Sequence, residues 1–149
     1  MKKVVEYRKL AIGDESSFSK LVLLFNKEFE SPDLNYVNDK NIRSLIAKPD
    51  FICFVAFIGD EVVGGLTGYE LLMYDQEGSS MYLYDLAVDK NYQRRGIGSN
   101  LVGELMDYCR SKDIKDLFVQ ANVEDQHAVE FYNKIGGDDS ETVQFSFHC

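Results

Sequence analysis

One carboxylate, two arginines and two glycines follow one another in a single short segment, 84-YDLAVDKNYQRRGIGSNLV-102. Asp85 lies within an apolar run, where a carboxylate needs a cationic partner or can accept a proton from one. Arg94 and Arg95 can neutralise an anion, while Gly96 and Gly98 let a ligand approach the backbone. The order predicts a strand, a glycine-containing loop and a helix start, an arrangement that binds phosphate through free backbone N–H groups.

Two other phosphate-binding motifs do not fit this segment. The dinucleotide fingerprint needs a third glycine, which residues 99–101 do not supply, and the P-loop needs a Gly-Lys-Ser/Thr sequence that is missing. An ordinary strand-to-helix turn with a solvated arginine pair also explains the glycines. The residues alone therefore leave an anion site and a plain turn open.

The elements before this segment alternate between helical and strand patterns. Residues 3–8 predict a strand, and Asp14 is placed to cap a helix with a buried face of Phe18, Leu21, Val22, Phe25 and Phe29. A second helix is predicted over 38–48, with Ile42, Leu45 and Ile46 inward. Strands over 51–58 and 61–73 joined by Gly59-Asp60 predict a hairpin, and 81–88 adds a third antiparallel strand.

The elements after the segment predict a crossover. A helix over 96–111 followed by a strand over 115–121 implies that this strand runs parallel to the one before the loop. A shorter helix over 126–134 is predicted to end at Gly136-Gly137, and 142–148 predicts a last strand. With no repeat, low-complexity tract or linker, we expect a single domain over 1–149.

The composition of the chain limits the classes of partner that we expect. A formal net charge of -9 repels a phosphate backbone and favours cations, so nucleic acid is an unexpected partner. No apolar run reaches the about 20 residues that span a bilayer, so we expect a soluble protein without a membrane partner. Three widely spaced cysteines indicate no disulfide framework and fit a cytoplasmic location. His127 and His148 have no neighbours at zinc-ligand spacing, and no metal is expected.

The motif Gln93-Arg94-Arg95-Gly96-Ile97-Gly98 resembles the Gln/Arg-x-x-Gly-x-Gly/Ala signature of the GNAT superfamily of acyl-CoA-dependent N-acetyltransferases. The segment 128-AVEFYNKIGG-137 resembles the second landmark of that family, a helix that carries Ala-x-x-x-Tyr and closes at a glycine. More narrowly, the chain is similar to the bacterial aminoglycoside 3-N-acetyltransferases at 25-FNKEF-29, 82-YLYDLAV-88, 118-FVQA-121 and 132-YNKIG-136. Those enzymes acetylate polycationic aminocyclitol antibiotics.

The resemblance implies a mixed α/β fold: a central, mostly antiparallel twisted sheet flanked by helices, with a splayed strand pair that binds acetyl-CoA. It also implies that the anion is the pyrophosphate of coenzyme A. The implied cofactor-binding residues are the backbone of Leu86, Ala87 and Val88, the loop residues Gln93, Arg94, Arg95, Gly96, Ile97, Gly98 and Ser99, and Asn122 or Asp125. Asp125 stands where many members have asparagine, and it can instead cap the helix.

Acetyl transfer to an amine needs a base, donors for the thioester carbonyl and an acid for the departing thiolate. Asp85 is the candidate base and is expected to share a strand face with Met81, Leu83 and Ala87. A core polar anchor held by backbone or arginine partners is the other interpretation of this residue. The resemblance implies that Tyr132 is the acid, although an aromatic packed on the sheet has the same pattern.

A polycationic substrate needs several carboxylates around one cleft. The candidate substrate-binding residues are Glu28, Glu30, Asp33, Tyr36, Tyr74, Asp75 and Glu77. Besides Asp125, two further departures are Gly137, where the family usually has an aromatic or apolar residue after the glycine, and a carboxyl end, 143–149, that lacks the acidic residue of the aminoglycoside enzymes. The last of these departures predicts weaker binding of substrate amines.

These features together predict an acetyl-CoA-dependent N-acetyltransferase for a small polycationic amine. The substrate expected first is an aminoglycoside, acetylated at its 3-amino group by direct transfer. The alternatives are a polyamine acetyltransferase, an enzyme for protein lysines or N-termini, and a binding module that senses acetyl-CoA without turnover. A homodimer is expected from the resemblance and from the predicted last strand, which would leave a sheet edge for a second subunit.

Overall fold

The computed structural model describes residues 3–149 and contains, within that range, five strands and four helices. In chain order they are β1 (Glu6–Lys9), α1 (Glu15–Glu28), α2 (Asp39–Ile46), β2 (Phe51–Ile58), β3 (Glu61–Leu72), β4 (Ser79–Val88), α3 (Ile97–Ser111), β5 (Ile114–Val119) and α4 (Gln126–Lys134). The chain divides into two compact units. The first carries the sheet and ends at Val119, and the second runs from Gln120 to Cys149.

The five strands form one sheet in the order β1-β2-β3-β4-β5. The first three pairs are antiparallel, as predicted, and Ile58 and Glu61 face each other across the predicted turn. The pairing of β4 with β5 is parallel because α3 carries the chain back to the end of the sheet where β4 began. The mixed, mostly antiparallel sheet is therefore confirmed.

Helices α1 and α2 cover one face of the sheet. Phe18 stacks on Phe51 of β2 with ring centroids 5.4 Å apart, and Leu21 is fully buried. A Cβ atom at Gly65 of β3 would lie 2.5 Å from Cδ1 of Leu21. This glycine therefore allows α1 to lie close against the sheet.

Helix α3 covers the opposite face. Its side chains Ile97, Leu101 and Leu105 are fully buried, and the helix contacts β2, β3, β4 and β5. Strand β2 lies between the two helical layers, so seven of its eight residues are buried and its sequence, FICFVAFI, is continuously apolar. The packed helices on both faces fix the position of the strands that carry the candidate site.

Some element boundaries differ from prediction because tertiary pairing sets them. Strand β1 begins at Glu6 rather than at residue 3, since its pairing with β2 runs only from Glu6 to Lys9. Helix α1 ends before Phe29, whose side chain is 48% exposed rather than buried. Asp14 precedes α1 but makes no side-chain cap; it accepts a hydrogen bond from the Ala11 N–H and pairs with Arg8 at 2.9 Å.

Two further boundaries shift by one or two residues. Helix α2 begins after Asn38, whose side chain caps it by accepting a hydrogen bond from the Asn41 N–H at 3.0 Å. The helix ends at Ile46, two residues before the predicted end. Strand β5 ends at Val119, where its register with β4 also ends, rather than at residue 121.

The predicted last strand over 142–148 is wrong. Residues 138–149 contain no strand or helix, and Val143, Phe145 and Phe147 are each more than three-quarters exposed. Alternating apolar residues form a strand only where a neighbouring backbone pairs with them, and the strand order of the described chain offers no such neighbour. In the same unit, α4 is confirmed over Gln126–Lys134. Gly136, with φ of 103°, follows it.

Candidate active site

A β-bulge interrupts β4 in its middle. Leu83 lies opposite Gly68 of β3, and Asp85 lies opposite Thr67, so that Tyr84 is an extra residue without its own partner. Such a bulge bends the strand and changes the direction of the side chains that follow it.

The bulge moves Asp85 to the other face of the sheet from the one expected. Thr67 and Gly68 are consecutive on β3 and point to opposite faces, so their partners Asp85 and Leu83 do as well. The prediction that Asp85 shares a face with Met81 and Leu83 is therefore wrong. It does share one with Ala87, which packs in the core beneath α1 and α2.

Within residues 3–149, no cationic side chain lies at ion-pair distance from the Asp85 carboxylate. Asp85 is half-buried, and no ion pair or hydrogen bond of its side chain is found within residues 3–149. Burial alone raises the pKa of this carboxyl group above its usual value, because ionisation is disfavoured away from water. The side chain is thus not an anchor held by arginine, and a substrate amine could offset the cost of its charge.

Strands β4 and β5 part immediately before Asp85. Their pairing ends at Leu83 and Val119, whereas β4 continues to Val88. Beyond that point β4 is paired with β3 alone among the described strands. One backbone edge of Leu86 and Ala87 is consequently left unpaired by the described strands, as the expected splayed strand pair requires.

The loop after β4 exposes backbone N–H groups at the start of α3. Gly96 has φ of 79° and precedes the first helical residue, and no side chain of the described range caps α3. The N–H of Asn100 is the first to bond within the helix, to Gly96, which leaves those of Ile97, Gly98 and Ser99 for an anion. A Cβ at Gly96 would meet no described atom within 4 Å, so a ligand can approach there.

Side chains of the same loop hold its shape. The Gln93 amide donates to the Val88 carbonyl oxygen at 2.9 Å, which ties the loop to the end of β4. Arg94 is exposed and has φ of 62°, a left-handed conformation that costs a non-glycine residue energy. The Arg95 guanidinium lies 5.3 Å from the centroid of the Tyr92 ring, so its charge remains near the helix start.

The remaining predicted cofactor and acid residues belong to the second unit. Asp125 caps α4 by accepting a hydrogen bond from the Ala128 N–H at 3.2 Å, which confirms the capping alternative. The Asn122 carbonyl oxygen accepts from the Asp125 N–H at 2.9 Å. Tyr132 is half-buried on α4, its ring 5.1 Å from that of Phe131, and the Gly137 N–H donates to its carbonyl oxygen.

The predicted substrate residues form two groups. Glu28 ends α1, and Glu30, Asp33 and Tyr36 lie in the loop that follows, where the Asn26 amide donates to the Tyr36 carbonyl oxygen at 2.8 Å. Tyr74, Asp75 and Glu77 lie in the exposed turn between β3 and β4.

The structure separates these two groups along β4. Lys27 at the end of α1 lies 3.9 Å from Asp89, just after β4, whereas the turn precedes Ser79 at the other end of the strand. Six residue steps from Ser79 to Asp85 correspond to about 20 Å of strand. Carboxylates of the turn therefore lie too far from Asp85 to contact the same amino group.

A row of aromatic rings beside Asp85 was not predicted as part of the site. Tyr84 lies 5.5 Å from Tyr69 and 5.9 Å from Tyr82, and Tyr82 stacks on Phe118 at 4.8 Å. The sequence signal is the Tyr-x-Tyr-Asp pattern of 82–85, whose tyrosines were assigned to a strand and to the family resemblance but not to the substrate site. Because the bulge is invisible in that pattern, it did not indicate that the rings and the carboxylate share a face.

Neither a membrane span nor a metal-binding group is found in the described part of the chain. No helix within residues 3–149 is long and apolar enough to cross a bilayer. Over the same residues, no three His, Cys, Asp or Glu side chains cluster closely enough to hold a metal ion.

The chain matches a known family over most of its length. The model described as the acetyltransferase (GNAT) family matches residues 18–137. The chain belongs to the GNAT acetyltransferase family. The five-stranded sheet, the parting of β4 from β5 and the open start of α3 are thus the GNAT fold of this chain.

Two solved structures of proteins from uncultured soil metagenomic samples resemble the chain along most of its length. One is an aminoglycoside acetyltransferase in complex with sisomicin, with a TM-score of 0.94 and 32% identity, covering 97% of this chain and 96% of its own. A second aminoglycoside acetyltransferase has a TM-score of 0.91 and 30% identity, covering 98% of this chain and 99% of its own.

Among curated proteins, human N-alpha-acetyltransferase 30 is 26% identical over 121 residues, which are 75% of this chain and 33% of that protein. The chain spans about a third of the length of these curated relatives from human, mouse and Xenopus laevis.

Proposed function

We propose that this GNAT chain transfers an acetyl group from acetyl-CoA to an amine of a small polycationic substrate. The observation that carries the proposal is the half-buried Asp85 carboxylate, which has no cationic partner within residues 3–149 and lies where β4 parts from β5. An ammonium group bound there would offset the cost of burying the charge and could give up its proton.

The residues around the glycine loop fit the donor. The open N–H groups of Ile97, Gly98 and Ser99, with Arg94 and Arg95 beside them, suit a pyrophosphate. The open backbone edge of Leu86 and Ala87 suits an extended arm that pairs as a strand does. The Gln93 amide donates a hydrogen bond to the Val88 carbonyl oxygen, so we assign these two groups to stabilising the loop conformation.

Two side chains carry out separate proton transfers: Asp85 acts as the base and Tyr132 as the acid. Bound acetyl-CoA supplies the acetyl group as an activated thioester. Asp85 accepts a proton from the substrate ammonium, directly or through water, and so leaves a neutral amine. A pKa raised by burial makes Asp85 a better base than an exposed aspartate. We propose that Tyr132 donates a proton to the thiolate that leaves.

We propose an aminoglycoside as the substrate, acetylated at its 3-amino group. The net charge of -9 attracts a polycation, and each charge-assisted hydrogen bond to a carboxylate contributes about 1.5 to 3 kcal/mol. Glu28, Glu30, Asp33 and Tyr36 are the proposed contacts nearest the end of α1. The similarity to the soil enzyme that holds sisomicin supports this choice.

An N-terminal peptide is the second candidate acceptor. The 26% identity with human N-alpha-acetyltransferase 30 favours it over other proteins as substrates. A peptide presents one α-amino group, whereas an aminoglycoside presents several amines on rigid rings. Binding of the aminoglycoside therefore depends more strongly on several carboxylates.

We also propose that the protein acts in the cytoplasm as a homodimer and without nucleic acid, membrane or metal. Cys53, Cys109 and Cys149 are unpaired, which suits a reducing compartment. The acidic charge opposes binding to phosphate backbones. A monomeric mass by light scattering would contradict the dimer.

A panel of acceptors tests the function. Purified protein and acetyl-CoA are mixed with sisomicin, gentamicin, spermidine or a short peptide with a free N-terminus, and the release of coenzyme A thiol is followed. Turnover with the aminoglycosides and little with the others supports the proposal, and NMR of the product locates the acetyl group. Release with the peptide alone would retain acetyl transfer but contradict the substrate.

A further inference from the structure

We infer that the aromatic row Tyr69, Tyr84, Tyr82 and Phe118 forms the binding surface for the acceptor and selects amines carried on a saturated ring. The inference rests on the acetyl transfer proposed above and concerns the substrate class of that site. It assigns a specificity role to four residues that the glycine-loop and helix motifs do not include.

The four rings make an uninterrupted path across three strands. Tyr69 belongs to β3, Tyr82 and Tyr84 to β4, and Phe118 to β5, with successive centroids 5.5, 5.9 and 4.8 Å apart. The ring planes of Tyr82 and Phe118 are nearly parallel at 8°, while the other two contacts are edge to face. Rings at these spacings support one another and present a fixed surface.

The row is anchored at one end and open at the other. Tyr69 packs edge to face on the buried Phe51 at 5.3 Å, which fixes it to the core beneath α1. Tyr84 is 56% exposed and Phe118 is 38% exposed. Tyr84 is exposed although β4 is an inner strand of the sheet.

The row and the Asp85 carboxylate share one face. Tyr84 immediately precedes Asp85 at the bulge, and Asp85 lies opposite Thr67, two residues from Tyr69. Burial raises the pKa of the Tyr69 phenol, and the nearby Tyr84 and Asp85 raise it further. An amine bound to Asp85 would therefore bring its carbon skeleton against the exposed ring of Tyr84.

Such a surface distinguishes acceptors by shape as well as by charge. A saturated amino sugar has an apolar face that can lie flat on an aromatic ring, and its ammonium groups are attracted to the faces of the rings. A linear polyamine offers the charges without the broad apolar face. The ring-bearing amine therefore gains more from the row than the linear amine.

The test compares Tyr84→Leu and Phe118→Leu with the matched control Tyr108→Leu. Tyr108 lies on α3 against Phe54, on the opposite face of the sheet, so its loss removes an aromatic residue without touching the row. For each protein we would measure kcat and KM for sisomicin, for spermidine and for acetyl-CoA, together with the Tm. The conservative variant Tyr84→Phe keeps the ring and loses the hydroxyl.

We expect Tyr84→Leu to raise KM for sisomicin about tenfold, a change within the range of one cation–π contact, and to leave KM for acetyl-CoA unchanged. The rise for spermidine should be about threefold or less, and Tyr84→Phe should restore wild-type values. Tyr108→Leu should change none of these constants. Equal rises for both amines, or a loss of kcat with unchanged KM, would overturn the inference.

Calorimetry of sisomicin on the wild-type protein separates this inference from the proposed function. Sisomicin that binds the wild type and binds Tyr84→Leu about tenfold more weakly supports the row, even if turnover is slow. No sisomicin binding, with acetyl transfer to a peptide intact, would overturn the row and retain the acetyltransferase. No transfer to any amine, with sisomicin bound through the row, would contradict the function alone.

Discussion

Asp85 of β4 lies opposite Thr67 of β3, on the face of the sheet that α1 and α2 cover. The extra residue Tyr84 produces this relationship, because without it the alternation of the strand would direct Asp85 into the core beneath α3. A carboxylate in that core would have to be neutralised. At its actual place it is half-buried, makes no ion pair or hydrogen bond with its side chain within residues 3–149, and lies on the same face as Tyr69 of the aromatic row.

The activity should fall in acid with a midpoint above the ordinary range of aspartate. A base acts only when ionised, and burial raises the pKa of Asp85 above its ordinary value of 3.8. The profile of kcat/KM for the acceptor against pH, at saturating acetyl-CoA, measures the midpoint. An acid limb at or below pH 3.8 in a still-folded protein would contradict a buried base.

Asp85→Asn should stabilise the protein near neutral pH. Since the folded-state pKa is raised, ionisation of Asp85 removes stability as the pH rises through that value, and below the unfolded pKa the effect is absent. An uncharged amide avoids this cost. We expect Tm to rise by about 2 °C at pH 7.5, with the difference vanishing below pH 3.8, as measured by thermal denaturation. A lower Tm at pH 7.5 would indicate that the carboxylate has a structural partner.

Gly96→Ala should weaken binding of acetyl-CoA more than it weakens the fold. The added methyl meets no described atom within 4 Å, but φ of 79° is unfavourable for alanine, and the methyl would occupy space that we assign to the ligand. We expect KM for acetyl-CoA to rise about tenfold, equivalent to about 1.4 kcal/mol, with KM for the acceptor unchanged.

The matched control is Gly103→Ala in the middle of α3. A Cβ there also meets no described atom within 4 Å, and alanine favours a helix by about 0.5 to 1 kcal/mol over glycine. This variant should keep both KM values and gain stability. A similar loss of acetyl-CoA binding in both variants would argue against a ligand at Gly96.

The three thiols should differ in reactivity. Cys149 is exposed, Cys53 is buried with its pKa raised by burial, and burial raises the pKa of Cys109 to about 11. We expect one thiol to react quickly with an aromatic disulfide reagent in the native protein and three to react after denaturation. Fast reaction of a second thiol would show that the layers over the sheet open readily. Cys149→Ser should remove the fast reaction, which also clears the background of coenzyme A assays.

Local patterns predicted most of the fold. The turn Gly59-Asp60, the helix α3 after the glycine loop and the end of α4 at Gly136 each follow from residues close in sequence, and all are observed. The run that became β2 was readable because both faces of that strand are buried. These signals depend on the periodicity of apolar residues, and tertiary contacts did not change the secondary structure that this periodicity indicates.

Features set by distant pairing were not predictable. The bulge at Tyr84 depends on how β3 and β4 align, so the face of Asp85 was predicted wrongly. The alternation in 142–148 gave a strand where the described chain offers no partner. Of the candidate site, the sequence of strand, glycine loop and helix start was predictable because the residues that form it are adjacent in the chain. The aromatic row required the register of three strands.

Turnover by Asp85→Asn measures the central claim most directly. At saturating acetyl-CoA and sisomicin, loss of the base should lower kcat by about 10²- to 10⁴-fold, the usual contribution of general base catalysis. Acetyl-CoA binding, followed by calorimetry, should stay within about twofold of wild type, because the glycine loop is untouched. A kcat within about threefold of wild type in the folded variant would contradict Asp85 as the base.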